Sequence, residues 1–230
     1  MKCAILQPSY IPWRGYFHQI QKADVFVFYD DVQYDADGWR NRNRIKTKNG
    51  SIWLTIPVRH KGHLSTGQRI CDTEIHWQQA WNQKHWRTIE QAYRKAPFFS
   101  RYADLLSGFY SRRPERLVDL TIDLTIALAH ELGLQRRFLR SSELDIHGGR
   151  TDRLVKILSH VGADHYVSGP SAQSYIDHEL MAQAGVTVEY MTYDYRSYEQ
   201  LYPPFDGNVS VIDLMFMYGP DAGRWIWNSL

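Results

Sequence analysis

Residues 136–191 read RRFLRSSELDIHGGRTDRLVKILSHVGADHYVSGPSAQSYIDHELMAQAGVTVEYM. Three short runs in it, Arg136–Ser141, His165–Ser168 and Val186–Met191, have the length and flanks of strands. Two helical patterns separate them. Thr151 caps the first, which ends at Gly162; the second runs from Ser171 to Ala184 and ends at Gly185. Strand–helix–strand–helix–strand with short connections implies two right-handed crossovers and a parallel sheet. The amino terminus repeats the theme, with a strand at Lys2–Gln7, a helix at Gly15–Lys22 and an apolar strand at Val25–Tyr29. The expected fold class is α/β, an open, mostly parallel, doubly wound sheet of about five strands.

Working outward, residues 40–132 form an insertion between the second and third strands of that sheet. Arg40–Lys46 and Ser51–Val58 flank Asn49-Gly50, a strong hairpin signal. A two-residue turn there pairs Lys48 with Ser51. Asn43, Ile45 and Thr47 then share one face with Ile56, Leu54 and Ile52. Arg42, Arg44 and Lys46 share the other with Trp53 and Thr55. Helices follow from about residue 73 to 132. Trp77, Trp81, His85, Ile89 and Tyr93 recur every fourth residue up to Pro97, a stripe that reads as core. Near the end, Ser210 and Asp213 have capping-box spacing ahead of Leu214–Tyr218. With no repeat and no linker, residues 1–230 read as one α/β domain carrying the insertion.

The composition is that of an ordinary globular chain, 43% hydrophobic and 23% charged over 230 residues. No apolar run is long enough for a membrane span or a signal-peptide core. Cys3 and Cys71 lack ligand spacing, so reduced thiols and a cytoplasmic location are the expectation. A net charge of +2 predicts no nucleic-acid partner. The charge is nevertheless unevenly distributed. Asp24–Asp37 holds five acids and no Lys or Arg, and Gly38–Cys71 holds eight Lys or Arg and no acid. An aromatic content of 14% is also high.

Ligands of open parallel sheets bind beyond the carboxyl ends of the strands, where strand order reverses. Here those ends carry Gln7-Pro8-Ser9-Tyr10, Asp30-Asp31, Ser141-Ser142-Glu143, Ser168-Gly169-Pro170-Ser171 and Tyr193-Asp194. Ser168–Ser171 joins strand to helix, a place that favours an anion. Gln7–Trp13, with two prolines around Ser9 and Tyr10, reads as a binding wall. The Arg42, Arg44 and Lys46 ladder, together with Arg40 and Trp53, suits a phosphate beside a flat ring, unless the Asp30–Asp37 run neutralises it. Asp30 and Asp31 invite Mg²⁺, but adjacent side chains leaving a strand diverge. His60 and His63 lack further zinc ligands, and Cys71 near His76 shows no sign of an activated thiolate.

These segments resemble the WbqC-like family of bacterial proteins. The likeness lies in AILQPSYIPWRGYF at 4–17, KADVFVFYDDVQY at 22–34, WRNRNRIKTKNG at 39–50 and WLTIPV at 53–58. It continues through Trp81, Lys84-His85, Tyr93 and Ala96-Pro97, then HYVSGPSAQSYID at 165–177 and SVIDLMFMYG at 210–219, covering nearly the whole chain. The resemblance implies a place in surface-polysaccharide (O-antigen) biosynthesis, as a transferase that adds a small acyl group, glycine being the one proposed, to an amino sugar. The substrate would be a sugar linked to a nucleotide or to a lipid. Arg42, Arg44 and Lys46, aided by the helix start at Ser171, would then hold a diphosphate, with Arg40, Ser168 and Gly169 as further substrate-binding candidates. Tyr10, Trp13 and Trp53 would bound the sugar, and Ser9 and Tyr175 are further substrate-binding candidates. Asp30, Asp31 or His85 would serve as base, and Gln7 with the N–H groups after Ser168 would serve the oxyanion. No residue reads as an acyl-enzyme nucleophile. The cofactor stays open between an activated acyl donor, which includes a charged tRNA, and ATP, with Mg²⁺ unsupported. Oligomeric state is not read.

Two other readings stay open. Ser9–Tyr16 between strand and helix resembles the opening of HIGH-type nucleotidyltransferases and adenylating synthetases, although Trp13 and Tyr16 replace the histidines and the spacing to Gly15 is short by one. The last is a non-catalytic sugar-nucleotide-binding subunit.

Overall fold

A computed structural model of the chain describes residues 1–59 and 67–227. From the amino terminus it forms β1 (Lys2–Leu6), α1 (Arg14–Lys22) and β2 (Val25–Phe28). The chain then leaves the sheet for β3 (Arg42–Thr47), β4 (Gly50–Thr55), β5 (Val58–Arg59), β6 (Glu74–Ile75), α2 (Trp81–Tyr93), α3 (Phe99–Ser111) and α4 (Leu117–Glu131). It returns with β7 (Arg137–Arg140), α5 (Arg150–Val161), β8 (His165–Ser168), α6 (His178–Gln183) and β9 (Thr187–Tyr190), and then forms α7 (Val211–Tyr218). His60 and His63 lie outside the described residues.

The expected α/β sheet is present. Five parallel strands stand in the order β7-β2-β1-β8-β9, with Leu6 opposite Phe28 and Ala4 opposite Val167. Successive side chains of a strand serve opposite faces. Cys3, Ile5, Val25 and Val27 pack with Leu154, Ile157 and Leu158 of α5 and Met181 of α6. Ala4, Phe26 and Phe28 pack with Tyr16, Phe17 and Ile20 of α1 and with the helices of the insertion. Both faces are therefore covered, which is why β2 reads Val-Phe-Val-Phe without a polar residue. No helix among the described residues is long and apolar enough to cross a membrane.

Local chemistry corrects several expectations. The hairpin turn is Lys48-Asn49, not Asn49-Gly50, and Thr47 pairs with Gly50. Neither Lys48 nor Asn49 has a positive φ, so the mirror-image turn is excluded. Gly50 takes the left-handed position at φ +101°, and Thr47 Oγ1 closes the turn on the Gly50 carbonyl at 2.7 Å. The pairing shifts by two residues, so each side chain keeps its expected face. Helix does not begin near residue 73. Glu74–Ile75 pairs with β5, Trp77 Nε1 donates to the Pro114 carbonyl, and α2 starts only at Trp81. Thr151 lies inside α5, where its hydroxyl accepts from the Asp177 N–H. The helix expected over Ser171–Ala184 is a 3₁₀ turn, Pro170–Ser174, followed by α6 with Asp177 as its cap. Asp213 closes no capping box. It is fully buried and accepts from Tyr93, Tyr198 and Gln200, tying α2 and the 198–200 segment to α7.

Two contacts fix the segment between β1 and α1. The buried Tyr10 hydroxyl lies 2.9 Å from His85 Nδ1 and also bonds the Tyr110 hydroxyl, anchoring the segment to α2 and α3. Burial pushes His85 down from 6.5 to about 4, against a weaker opposing hydrogen bond at Thr55. At α1, the Trp13 ring lies over Gly15, so that a Cβ on Gly15 would sit 2.2 Å from the ring.

Two outcomes follow. Gly15→Ala must displace Trp13 and should cost about 1–3 kcal/mol in denaturant unfolding; unchanged stability would show that the ring yields freely. His85 stays neutral in the fold but takes up a proton near pH 6.5 once the chain unfolds. Its contribution is therefore complete above that pH and is lost as pH falls from 6.5 towards 4, by up to about 3 kcal/mol. Unfolding of His85→Asn across that range should show the stability gap to the parent chain closing with acid. Parallel curves would rule the linkage out.

Candidate functional site

Strand order reverses between β1 and β8. The chain leaves β1 towards α1 on one face of the sheet and leaves β8 towards α6 on the other, so the two connections part above the strand ends. A cleft of about 1280 Å³ opens there, bounded by the Gln7–Trp13 segment, the Ser168–Ser174 turn and the residues that lead into β3.

The cleft unites Gln7, Ser9, Trp13, Arg40, Ser168, Gly169, Ser171 and Tyr175 from the sequence candidates. The Gln7 carbonyl accepts from the Tyr16 hydroxyl at 3.1 Å, while its side-chain amide makes no hydrogen bond to the described residues. Trp13 meets Tyr193 edge-on at 5.0 Å, and Tyr193 donates to Gln19, whose amide in turn donates to the Val167 carbonyl. Tyr175 stands at the rim, 65% exposed. Ser171 is the first residue of its turn with an N–H to offer, because Pro170 has none. The turn is too short to carry the dipole of the longer helix expected there.

Arg40 is the cation inside the cleft wall. Its Nη1 donates to the Pro8 carbonyl at 3.1 Å and to Ser9 Oγ at 3.3 Å. The buried Nε has no partner, Nη2 has none among the described residues, and no carboxylate there pairs with the group. Desolvation lowers its pKa, with Tyr16, Asp35 and Tyr34 opposing. The Nε/Nη2 edge is the one with which a guanidinium grips an oxyanion through two parallel bonds. Arg150, at the start of α5, adds a second cation at the lining. No carboxylate, imidazole or thiol stands among the described lining residues.

The other candidates lie outside the lining, each held by the protein itself. Tyr10 and His85 form the buried anchor behind the wall. Asp30, fully buried, accepts from Ser141, from the Ser142 hydroxyl and from the Ser142 N–H. Asp31 accepts from Ser141 and pairs with Arg153. The two carboxylates thus join the ends of β2 and β7 to α5. Among the described residues no group of three or more His, Cys, Asp or Glu could hold a metal ion. The cation ladder serves as a mount. Arg42 donates to the Asp37 and Gly38 carbonyls, Arg44 Nε to Asn208 at 3.2 Å, and Lys46 Nζ to Pro204 at 2.5 Å. Trp53 lies under both guanidinium groups, at 5.1 and 5.7 Å. These bonds fix the 37–38 turn, which leads to Trp39 and Arg40 of the lining, and the 204–208 turn, which ends at Asn208 of the lining.

Trp39, Asn43, Gln19 and Arg150 also line the cleft, although the motifs do not single them out. Asn43 donates to the Tyr10 and Ile11 carbonyls and so holds Ile11 at φ +36°, a left-handed value costly for a β-branched residue. Gln19 and Asn43 carry a readable signal, a polar residue on an otherwise apolar face. Trp39 and Arg150 carry none.

Residues 7–225 match the model of the WbqC-like protein family. The chain is 41% identical over 227 residues to the uncharacterized protein Rv1507c of Mycobacterium tuberculosis (strain ATCC 25618 / H37Rv), covering 98% of this chain and 97% of that one. No solved structure matches it. A family match over nearly all of the chain, with a relative aligned end to end, makes this protein a member of the WbqC-like family.

Proposed function

We propose that the protein is a transferase of surface-polysaccharide biosynthesis that takes a diphosphate-linked amino sugar into the switch-point cleft and adds a small acyl group, glycine being the candidate, to the sugar amine. The observation that carries this reading is that Nε and Nη2 of Arg40 have no acceptor among the described residues, in a cleft whose described lining carries no carboxylate. On this reading Arg40 grips a phosphate, with Arg150 as a second positive charge. Trp13, Tyr193 and Tyr175 bound the sugar. The free amide of Gln7 donates to the acyl oxygen as it gains charge. The sugar nitrogen attacks the acyl carbon directly. The bond to the donor's leaving group breaks, and the amine proton departs with that group, so no carboxylate base at the lining is required. Asp30, Asp31 and His85 then serve to hold the walls.

A second reading, ATP-dependent adenylation of the transferred acid, draws on the β1–α1 segment lining the same cleft. It requires pyrophosphate release from ATP only when the acid is present.

Calorimetric titration should show nucleotide-linked amino sugars binding to the parent chain. Arg40→Gln should weaken that binding about 10- to 100-fold, as expected for losing charge-assisted bonds, and Arg40→Lys, which keeps the charge but not the fork, should fall between. A matching melting temperature separates this loss from misfolding. Incubation with an activated glycine donor should add mass to the sugar. If diphosphates fail to bind, or Arg40→Gln binds them as tightly as its parent, the cleft is not a diphosphate site; binding without mass gain from any donor leaves a carrier subunit.

A further inference from the structure

The hairpin side of the cleft ends in two tryptophans that the fold mounts but does not cover. Trp39 and Trp53 are 44% and 49% exposed, with ring centroids 5.3 Å apart and planes inclined by 31°. Tryptophans kept for packing are mostly buried. Here the mount is elaborate. The Trp39 carbonyl accepts from the Tyr10 N–H at 3.0 Å, and Arg42 holds the carbonyls of Asp37 and Gly38 just before it. Trp53 is flanked by Arg42 and Arg44 and in turn supports Trp39. Of the two rings only Trp39 lines the cleft, next in sequence to Arg40. A ring ordered in advance and left bare beside an oxyanion site is preorganised for a partner.

The surroundings select that partner. A prenyl chain needs a continuous apolar groove, and beside Trp39 the lining is interrupted by Arg40 and Asn43. A sugar ring presents C–H groups and hydroxyls, for which Trp13 and Tyr193 stand elsewhere in the cleft. A nucleobase presents a flat π-face for the indole and carbonyl or ring-nitrogen acceptors for neighbouring cations. We propose that the carrier half of the substrate is a nucleoside, its base stacked on Trp39 while its diphosphate lies on Arg40. This rests on the diphosphate reading of the cleft and names the carrier that reading leaves between nucleotide and lipid.

The probes are uridine and adenosine diphosphates, inorganic pyrophosphate, farnesyl diphosphate and an amino-sugar 1-phosphate, each titrated calorimetrically. The nucleoside diphosphates should bind about tenfold or more tightly than pyrophosphate, the size expected of one stacked base. Trp39→Ala should bring them down to the pyrophosphate level while leaving pyrophosphate itself unchanged, and Trp39→Tyr should keep most of the advantage. Equal binding of nucleoside diphosphates and pyrophosphate by the parent chain overturns the proposal but not the diphosphate site. So does a Trp39→Ala loss confined to farnesyl diphosphate or to the sugar phosphate. Failure of every diphosphate to bind removes both readings.

Discussion

The connections leaving β1 and β8 run to opposite faces of the sheet, and that divergence sets the rest of the architecture. Two adjacent parallel strands whose chains part leave backbone ends with nothing above them, and a sheet wound in both directions contains such a place wherever the order reverses. What this chain adds is a wall. The Gln7–Trp13 segment is held by Tyr10 against His85 and Tyr110, by Asn43 on two successive carbonyls, and by the Val211 N–H on the Pro12 carbonyl. The left-handed Ile11 persists because these bonds overdetermine it. The insertion between β2 and β7 thus supports this wall through the buried Tyr110 hydroxyl and the Asn43 amide.

The same economy governs charge. Most cations near the cleft face protein oxygens: Arg42, Arg44 and Lys46 face carbonyls, and Arg153 faces Asp31. Burying a polar side chain such as that of Lys46 is costly unless acceptors such as the Pro204 carbonyl meet it. Arg40 differs because its Nε, which is buried, and its Nη2 take no acceptor from the described residues. Arg40 and Arg150 are the only charged side chains among the described residues of the lining.

Much of the fold was legible in the sequence, and the reason is periodicity. A strand covered on both faces is apolar, which marks Cys3–Leu6 of β1 and all of β2, and short connections between strand and helix leave only parallel pairing, which marks β7, β8 and β9. Features decided by competition between local bonds were not legible. The hairpin turn followed Thr47 and Gly50 instead of the Asn49-Gly50 signal, and Asp177 outcompeted Ser171 as a helix start. At the site, strand ends were legible because loops must follow strands; hence Gln7, Ser9, Trp13 and Ser168–Ser171. The arginines were not separable. Arg40, Arg42 and Arg44 alternate identically along the chain, and only the position of the 204–208 and 37–38 turns decides which of them is occupied. Asp30 and Asp31 look like chemistry in sequence because their partners, Ser141, Ser142 and Arg153, are more than one hundred residues away.

The composition of the lining also limits the chemistry the cleft supports. Hydroxyls, amides, rings and two guanidinium groups bind and orient, and they stabilise developing negative charge, but they do not readily take a proton at neutral pH. A reaction carried out there must bring its driving force with the substrates, through a donor whose leaving group is already good. If the substrate is the amino sugar proposed above, its amine must arrive unprotonated, a condition that nearby positive charge favours by disfavouring a further cation beside it. On the proposed reading the field from Arg40 and Arg150 therefore acts twice. It holds the phosphates, and it keeps the attacking nitrogen in its neutral form, so that a site without a carboxylate base can still accept acyl transfer to an amine.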